Sequence, residues 1–220
     1  MTIVLRPGAT VLFAGDSITD CQRRDTEDGL GTGYPLRIAG EWGLWHRDRP
    51  VSWLNAGIAG NRVADLAARW RTDVLDARPD VVSILVGVND VGWHTLDPDG
   101  HVISVDEFEA GYDRLLTPLA DAELILIEPF LLPVTTPVRA GRGRVLIGEQ
   151  ERAEWRADLD PKIQAVRRLA RRHGAHLLAA DGMFAELSAT TGPEHWAADG
   201  LHPTPAGHAA LADAWLRLVA

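Results

Sequence analysis

Cysteine is nearly absent from this 220-residue sequence. Cys21 is the only one, which excludes an intrachain disulfide and any cysteine-built metal site. Lysine is as scarce: Lys162 stands alone among 22 basic residues, a bias that reads as base composition rather than function. Positive charge is in deficit, with 31 acidic residues and a net charge of −9. That balance argues against a nucleic-acid or anionic-membrane partner. No apolar run approaches the roughly 18 residues of a membrane-spanning helix. Residues 1–13 lack the basic start, unbroken apolar run and small-residue cleavage site of a signal peptide. Asn55, Asn61 and Asn89 do not open a glycosylation sequon. These absences lead to the expectation of a cytoplasmic protein. Neither GxxxxGK[ST] nor GxGxxG follows the first strand, so nucleotide chemistry is excluded.

What is present is ordinary for a globular protein: 46% hydrophobic and 24% charged residues. The length fits one domain over residues 1–220. Short apolar runs at 10–14, 51–54, 81–88, 123–128 and 176–180 read as strands. Their near-continuous apolarity, clearest in VVSILVGV, suits strands buried on both faces of a parallel sheet. Helix candidates lie between them, at about 35–46, 63–76, 105–120 and 152–173. Leu66, Trp70 and Val74 form one stripe of an amphipathic helix. A last helix from Pro205 to about Val219 starts with Thr204 as cap and carries Leu211, Trp215, Leu218 and Val219 on one face. The alternation predicts a doubly wound α/β domain with five parallel strands. Its ligand site is expected beyond the carboxyl ends of the strands. Two long connections, 89–104 and 129–150, have the length of lids or binding loops.

The residues that carry chemistry fall at those strand ends. Strand one runs into Gly15-Asp16-Ser17-Ile18-Thr19-Asp20, which exposes a serine beside backbone N–H groups. Alone, Ser17 reads equally as a helix cap. Strand two ends at 55–61 (NAGIAGN), a turn whose glycines leave backbone N–H groups accessible. Strand three ends at Gly87-Val88-Asn89-Asp90, where Asn89 can aim its amide into the same space or simply form the turn. Near the end stands Asp199-Gly200-Leu201-His202-Pro203. A carboxylate three residues before a histidine can hold its Nδ1–H and leave Nε2 to take a proton from a serine. The other seven histidines lack that context and read as surface or packing residues.

Together, GDSIT, the glycine of GIAGN, GVND and DGLHP resemble the four blocks of the SGNH hydrolases, also called GDSL esterases. The likeness spans nearly the whole chain. It implies a flavodoxin-like three-layer α/β/α sandwich with a five-stranded parallel sheet. It implies Ser17 as nucleophile, His202 as general base and acid, and Asp199 as its orienter. The Ser17 N–H, the Gly60 N–H and the Asn89 side chain would form the oxyanion hole. No metal or organic cofactor is needed for that chemistry. Within the family, LFAGDSITDC, GLGTGY at 29–34, LAARW at 66–70, SILVGVNDV and HPTPAGH are most similar to intracellular acetylxylan esterases. Those relatives remove acetyl groups from imported xylan fragments, which implies a small-molecule ester substrate, an acetylated oligosaccharide. One departure is Ala198, where the relatives' pattern leads us to expect tryptophan; Trp196 lies two positions earlier.

Of eight tryptophans, Trp93 and Trp196 lie in loops beside these motifs. They are candidate sugar-binding faces or ordinary packing residues. Arg142 and Arg144 read as solvated loop charges, with contact to a substrate or a neighbouring subunit as the alternative. Asp16, Asp20 and Asp90 read as capping and loop-pinning residues, and Asp181 as a rival partner for His202. Two alternatives remain: a short-chain lipid esterase or lysophospholipase of the same chemistry, and a silent carbohydrate-binding relative. The charged stretch at 23–28 disfavours the first, and the intact serine, histidine and aspartate argue against the second. The sequence leaves a homo-oligomer open.

Overall fold

The computed structural model describes residues 2–92, 100–140 and 145–220. Its centre is a parallel sheet of β1 (Thr10–Gly15), β2 (Ser52–Asn55), β3 (Val81–Leu85), β4 (Glu123–Ile127) and β7 (His176–Leu178). The order is β2-β1-β3-β4-β7. Pairing is in register throughout, for example Phe13 against Asn55 and Ser83. This is the flavodoxin-like order, with the chain reversing direction across the sheet between β1 and β3.

Alternation along the strands splits the core in two. Val11 and Phe13 of β1 point to one face, while Leu12 and Ala14 point to the other. The first face is covered by α2 (Tyr34–Trp45), α6 (Ala180–Thr191) and α7 (Pro205–Leu216), through Ile38, Trp42, Phe184, Leu211 and Trp215. The second is covered by α3 (Val63–Trp70), α4 (Val105–Leu116) and α5 (Glu149–His173), through Leu66, Trp70, Phe108, Leu115, Val166 and Leu169. The expected stripe of Leu66, Trp70 and Val74 is buried, and Val74 sits on a π-turn that continues α3 over Arg71–Leu75. Trp215 is fully buried and its Nε1 donates to Ser83 Oγ at 3.0 Å, tying α7 to β3. A short α1 (Ser17–Asp20) follows β1 directly.

Several features differ from the sequence reading: the last helix ends at Leu216 rather than near Val219, which bridges Ile3 instead, and α6 falls on no expected helix. The expected third strand stops at Leu85, because Gly87 (φ +136°) turns the chain into the Val88–Asp90 turn. The fifth stops at Leu178, and α6 begins at Ala180. The connection at 129–150 holds an antiparallel hairpin, β5 (Val138–Ala140) with β6 (Val145–Ile147). Trp93, Arg142 and Arg144 lie outside the described residues.

Candidate active site

Each strand end delivers one part of the site, and each part is locked by its neighbours. Gly15 closes β1 against β3: a Cβ there would fall 2.3 Å from Leu85 O. Asp16, fully buried, caps α1 by accepting the Ile18 N–H at 3.0 Å. Ser17 is therefore the first helical residue, at the mouth of a sharp turn. Cys21 ends α1 in the left-handed region (φ +40°).

The turn after β2 is fastened to that elbow. Asn55 Nδ2 donates to Thr19 O (2.7 Å) and Leu30 O (2.9 Å), while its Oδ1 accepts the Gly57 N–H (2.9 Å). Asp20 Oδ2 accepts the Ala59 N–H at 2.9 Å. Gly60 follows with φ +80° and open space where a Cβ would stand, so conformation rather than room calls for glycine there. Arg69 of α3 spans both turns, donating to Asn61 Oδ1 (2.8 Å) and Ala56 O (2.7 Å), with Gly15 O at 3.5 Å. Its charge is met by Asp73 at 2.7 Å.

After β3, Asn89 Nδ2 donates to Asn61 O at 3.2 Å, which brings the third motif onto the second. Both Asp90 oxygens accept the Val63 N–H at 3.2 Å, capping α3. The final motif closes from the loop before α7. Asp199 Oδ1 accepts the backbone N–H groups of Leu201 (2.8 Å) and His202 (2.7 Å), and Oδ2 lies 2.7 Å from His202 Nδ1. His202 Nε2 is 3.0 Å from Ser17 Oγ. The serine, histidine and aspartate motifs thus form one hydrogen-bonded chain across 185 residues of sequence. Among the described residues, neither the Ser17 N–H nor the Gly60 N–H donates to a protein acceptor. Unsatisfied donors of that kind are what a developing oxyanion requires.

The electrostatics follow from these contacts. The hydrogen bond that His202 Nδ1–H donates to Asp199 holds the His202 pKa above its ordinary 6.5, against a smaller opposing effect of burial. Burial pushes Asp199 up, but the His202 ring and the two backbone N–H groups outweigh it and leave the carboxyl below its usual range. Asp16 and Asp90 behave oppositely, since burial raises each to about 7. His208 is depressed to about 4 by burial, and its Nδ1 accepts the Tyr34 N–H at 3.2 Å, so it packs as a neutral ring.

Asp181 is not beside His202; it forms a two-pronged pair with Arg156 at 2.5 and 2.7 Å. Trp196 is half-buried, with its ring against Phe184 and His195 and its Nε1 donating to Thr191 Oγ1 at 2.8 Å. Sequence reasoning gave Arg69 no role although it lies in the LAARW stretch, because nothing there shows which turns its guanidinium reaches. Among the described residues, no group of three or more His, Cys, Asp or Glu side chains is placed to hold a metal ion. Within the same residues, no helix is long and apolar enough to cross a membrane.

Comparison with known proteins agrees with this fold. Residues 13–210 match the GDSL-like Lipase/Acylhydrolase family. An acetylxylan esterase from Geobacillus stearothermophilus is 35% identical over 96% of this chain and 93% of its own. A crystal structure of an acetylxylan esterase from that organism superposes with a TM-score of 0.81 at 33% identity, covering 97% of this chain and 94% of the other. That esterase has also been solved with a serine and with a histidine replaced by alanine, both described as catalytic mutants. A GDSL-like lipase structure from Parabacteroides merdae gives a TM-score of 0.86 at 29% identity, over 99% and 98% of the two chains. The chain belongs to the GDSL-like lipase/acylhydrolase (SGNH) family and is a carboxylic ester hydrolase.

Proposed function

We propose that this protein is a serine acetylesterase acting on acetylated xylo-oligosaccharides, with Ser17, His202 and Asp199 as its triad. The observation that carries the mechanism is the chain Ser17 Oγ–His202 Nε2–His202 Nδ1–Asp199 Oδ2, at 3.0 and 2.7 Å. Likeness to an acetylxylan esterase over nearly the whole chain supports the substrate class. The serine and histidine variants of that relative, described as catalytic, support the roles of Ser17 and His202.

Ser17 Oγ attacks the ester carbonyl carbon while His202 Nε2 takes its proton. Asp199 holds Nδ1–H and stabilises the imidazolium. The oxyanion of the tetrahedral intermediate is met by the Ser17 N–H, the Gly60 N–H and Asn89 Nδ2. Collapse returns the His202 proton to the departing sugar hydroxyl and leaves acetyl-Ser17. Water then attacks the acetyl carbon as His202 takes its proton. Acetate leaves, and Ser17 Oγ regains a proton from His202.

The test is an acyl-length ladder: p-nitrophenyl acetate, butyrate and octanoate beside an acetylated xylo-oligosaccharide, for wild type and Ser17→Ala. The expected result is preference for acetyl, release of acetate from the sugar, and a loss in kcat of about 10³–10⁶-fold in the variant. Preference for octanoate would move the substrate to lipid esters. Equal rates for wild type and variant would remove Ser17 from the mechanism.

A further inference from the structure

His208 is buried in the first turn of α7, and the triad makes no use of it. Both of its ring nitrogens are nevertheless engaged. Nδ1 accepts the Tyr34 N–H, the first amide of α2, at 3.2 Å. Gly33, just before it, has no side chain with which to cap that helix. Since Nδ1 accepts, the neutral ring carries its proton on Nε2. Nε2 stands 3.6 Å from Cys21 Sγ. The remaining donors then run one way. The Cys21 S–H points to Thr32 Oγ1 at 3.4 Å, and the Thr32 O–H to Cys21 O at 3.3 Å. The fit is close, because a Cβ on Gly33 would fall 2.9 Å from Cys21 Cβ and 3.1 Å from His208 Cε1.

Cys21 and His208 each belong to a segment that carries a member of the triad. Cys21 closes α1, and its N–H donates to the carbonyl of Ser17, which opens that helix, at 3.0 Å. On the other side, the His208 N–H donates to Thr204 O at 2.9 Å. Thr204 is fastened in turn to Trp196 O through its N–H (2.8 Å) and to His195 O through its hydroxyl (2.6 Å). His202 lies in the loop that those bonds close. The two segments therefore meet twice, at Ser17–His202 (3.0 Å) and at Cys21–His208 (3.6 Å).

We propose that His208 is a positioning residue for the nucleophile and its base: its Nε2–H on Cys21 Sγ fixes the end of α1 against the start of α7, and so sets the spacing of Ser17 Oγ and His202 Nε2. The inference rests on the reading of Ser17 and His202 as nucleophile and base. His208 is 6% exposed and acts through Cys21 rather than on the substrate. Its other nitrogen has a different duty, the cap on α2. Tyr34 does not depend on that cap for its place, since its hydroxyl is 3.0 Å from Thr19 Oγ1 and its ring packs edge-on against Phe13 at 5.6 Å. The two contacts of the imidazole can therefore be removed one at a time.

The experiment measures kcat and KM on p-nitrophenyl acetate, and urea unfolding, for wild type, His208→Asn, His208→Gln, Cys21→Ala, the double variant His208→Asn/Cys21→Ala and Ser17→Ala. Asparagine puts its amide oxygen near the place of Nδ1, so it keeps the cap on α2 and loses the donor to Sγ. Glutamine puts its amide nitrogen near the place of Nε2 and does the reverse. His208→Asn and Cys21→Ala are each expected to lower kcat about 10- to 100-fold with KM within about twofold, the scale of a small misplacement between reacting groups. His208→Gln should keep kcat within about threefold of wild type, although it unfolds at lower urea for want of the cap. The double variant should lose no more than the worse single variant, as for two residues that act through one contact. If His208→Asn does not fold, Cys21→Ala, at a half-buried position, carries the test. Wild-type kcat in Cys21→Ala, losses that add in the double variant, or a kcat loss in His208→Gln as large as in His208→Asn would overturn the inference while leaving a dead Ser17→Ala intact. Full activity in Ser17→Ala would overturn both this inference and the catalytic reading beneath it.

Discussion

In the proposed mechanism His202 must be neutral to take the proton of Ser17, yet Asp199 favours its charged form. The same hydrogen bond that aims Nε2 at Ser17 Oγ therefore raises the His202 pKa above 6.5. Activity should fall on acidification with a midpoint above that ordinary value. Asp199→Asn removes the largest cause of the shift. Its acid limb should move to lower pH, while kcat at neutral pH drops by about 10⁴. A limb that stays in place would mean Asp199 does not govern His202. That Ser17, Asp199 and His202 come together was legible in the sequence because each sits in a short motif with a fixed offset. Lys162 was legible only as a statistical oddity, since nothing in a string of residues shows that its side chain is wholly buried. Asp16 and Asp90 read correctly as capping residues. Their raised pKa values did not, because those come from burial by elements distant in sequence.

At the scale of elements, the site is a set of turns held to one another. Arg69 shows this most clearly, because one guanidinium reaches the turns after β1 and β2. Arg69→Met keeps the stem and deletes the bonds. It should cost about 1–3 kcal/mol in urea unfolding, the penalty of leaving buried carbonyls unpaired. Unchanged stability would show that solvent satisfies those carbonyls without the arginine. The five strands and most helices could be read from apolar runs and periodicity. The exception is α6, ADGMFAELSATT, in which only Ala180 and Phe184 are buried. Two buried residues make no stripe, so no helix was expected there. The β5–β6 hairpin escaped for a related reason: three-residue strands in a glycine- and arginine-rich connection carry no alternation long enough to recognise.

For the molecule as a whole, buried and half-buried carboxylates pull stability in opposite directions with pH. Asp16 and Asp90, raised from 3.8 to about 7, bind protons more tightly in the folded state. Their contribution weakens as pH rises through that window. Asp65, Asp73, Glu109, Asp113 and Asp199 are lowered, so what they contribute is present above their unfolded values and lost as acid protonates them. Asp16→Asn keeps an oxygen for the Ile18 N–H and cannot ionise. Its Tm relative to wild type should therefore be higher at pH 8 than at pH 5; a difference independent of pH over that range would mean that Asp16 is already ionised in the folded state at pH 5 and its pKa is not raised. All of this serves one claim, that the elbow after β1 presents a nucleophile. The most direct measurement is mass spectrometry of wild type and Ser17→Ala after treatment with a fluorophosphonate, with and without acetylated xylo-oligosaccharide. The account predicts one adduct per chain, mapped to Ser17, slowed by the sugar ester and absent from the variant. An adduct on another residue, or an unlabelled Ser17 in protein that still hydrolyses esters, would contradict it.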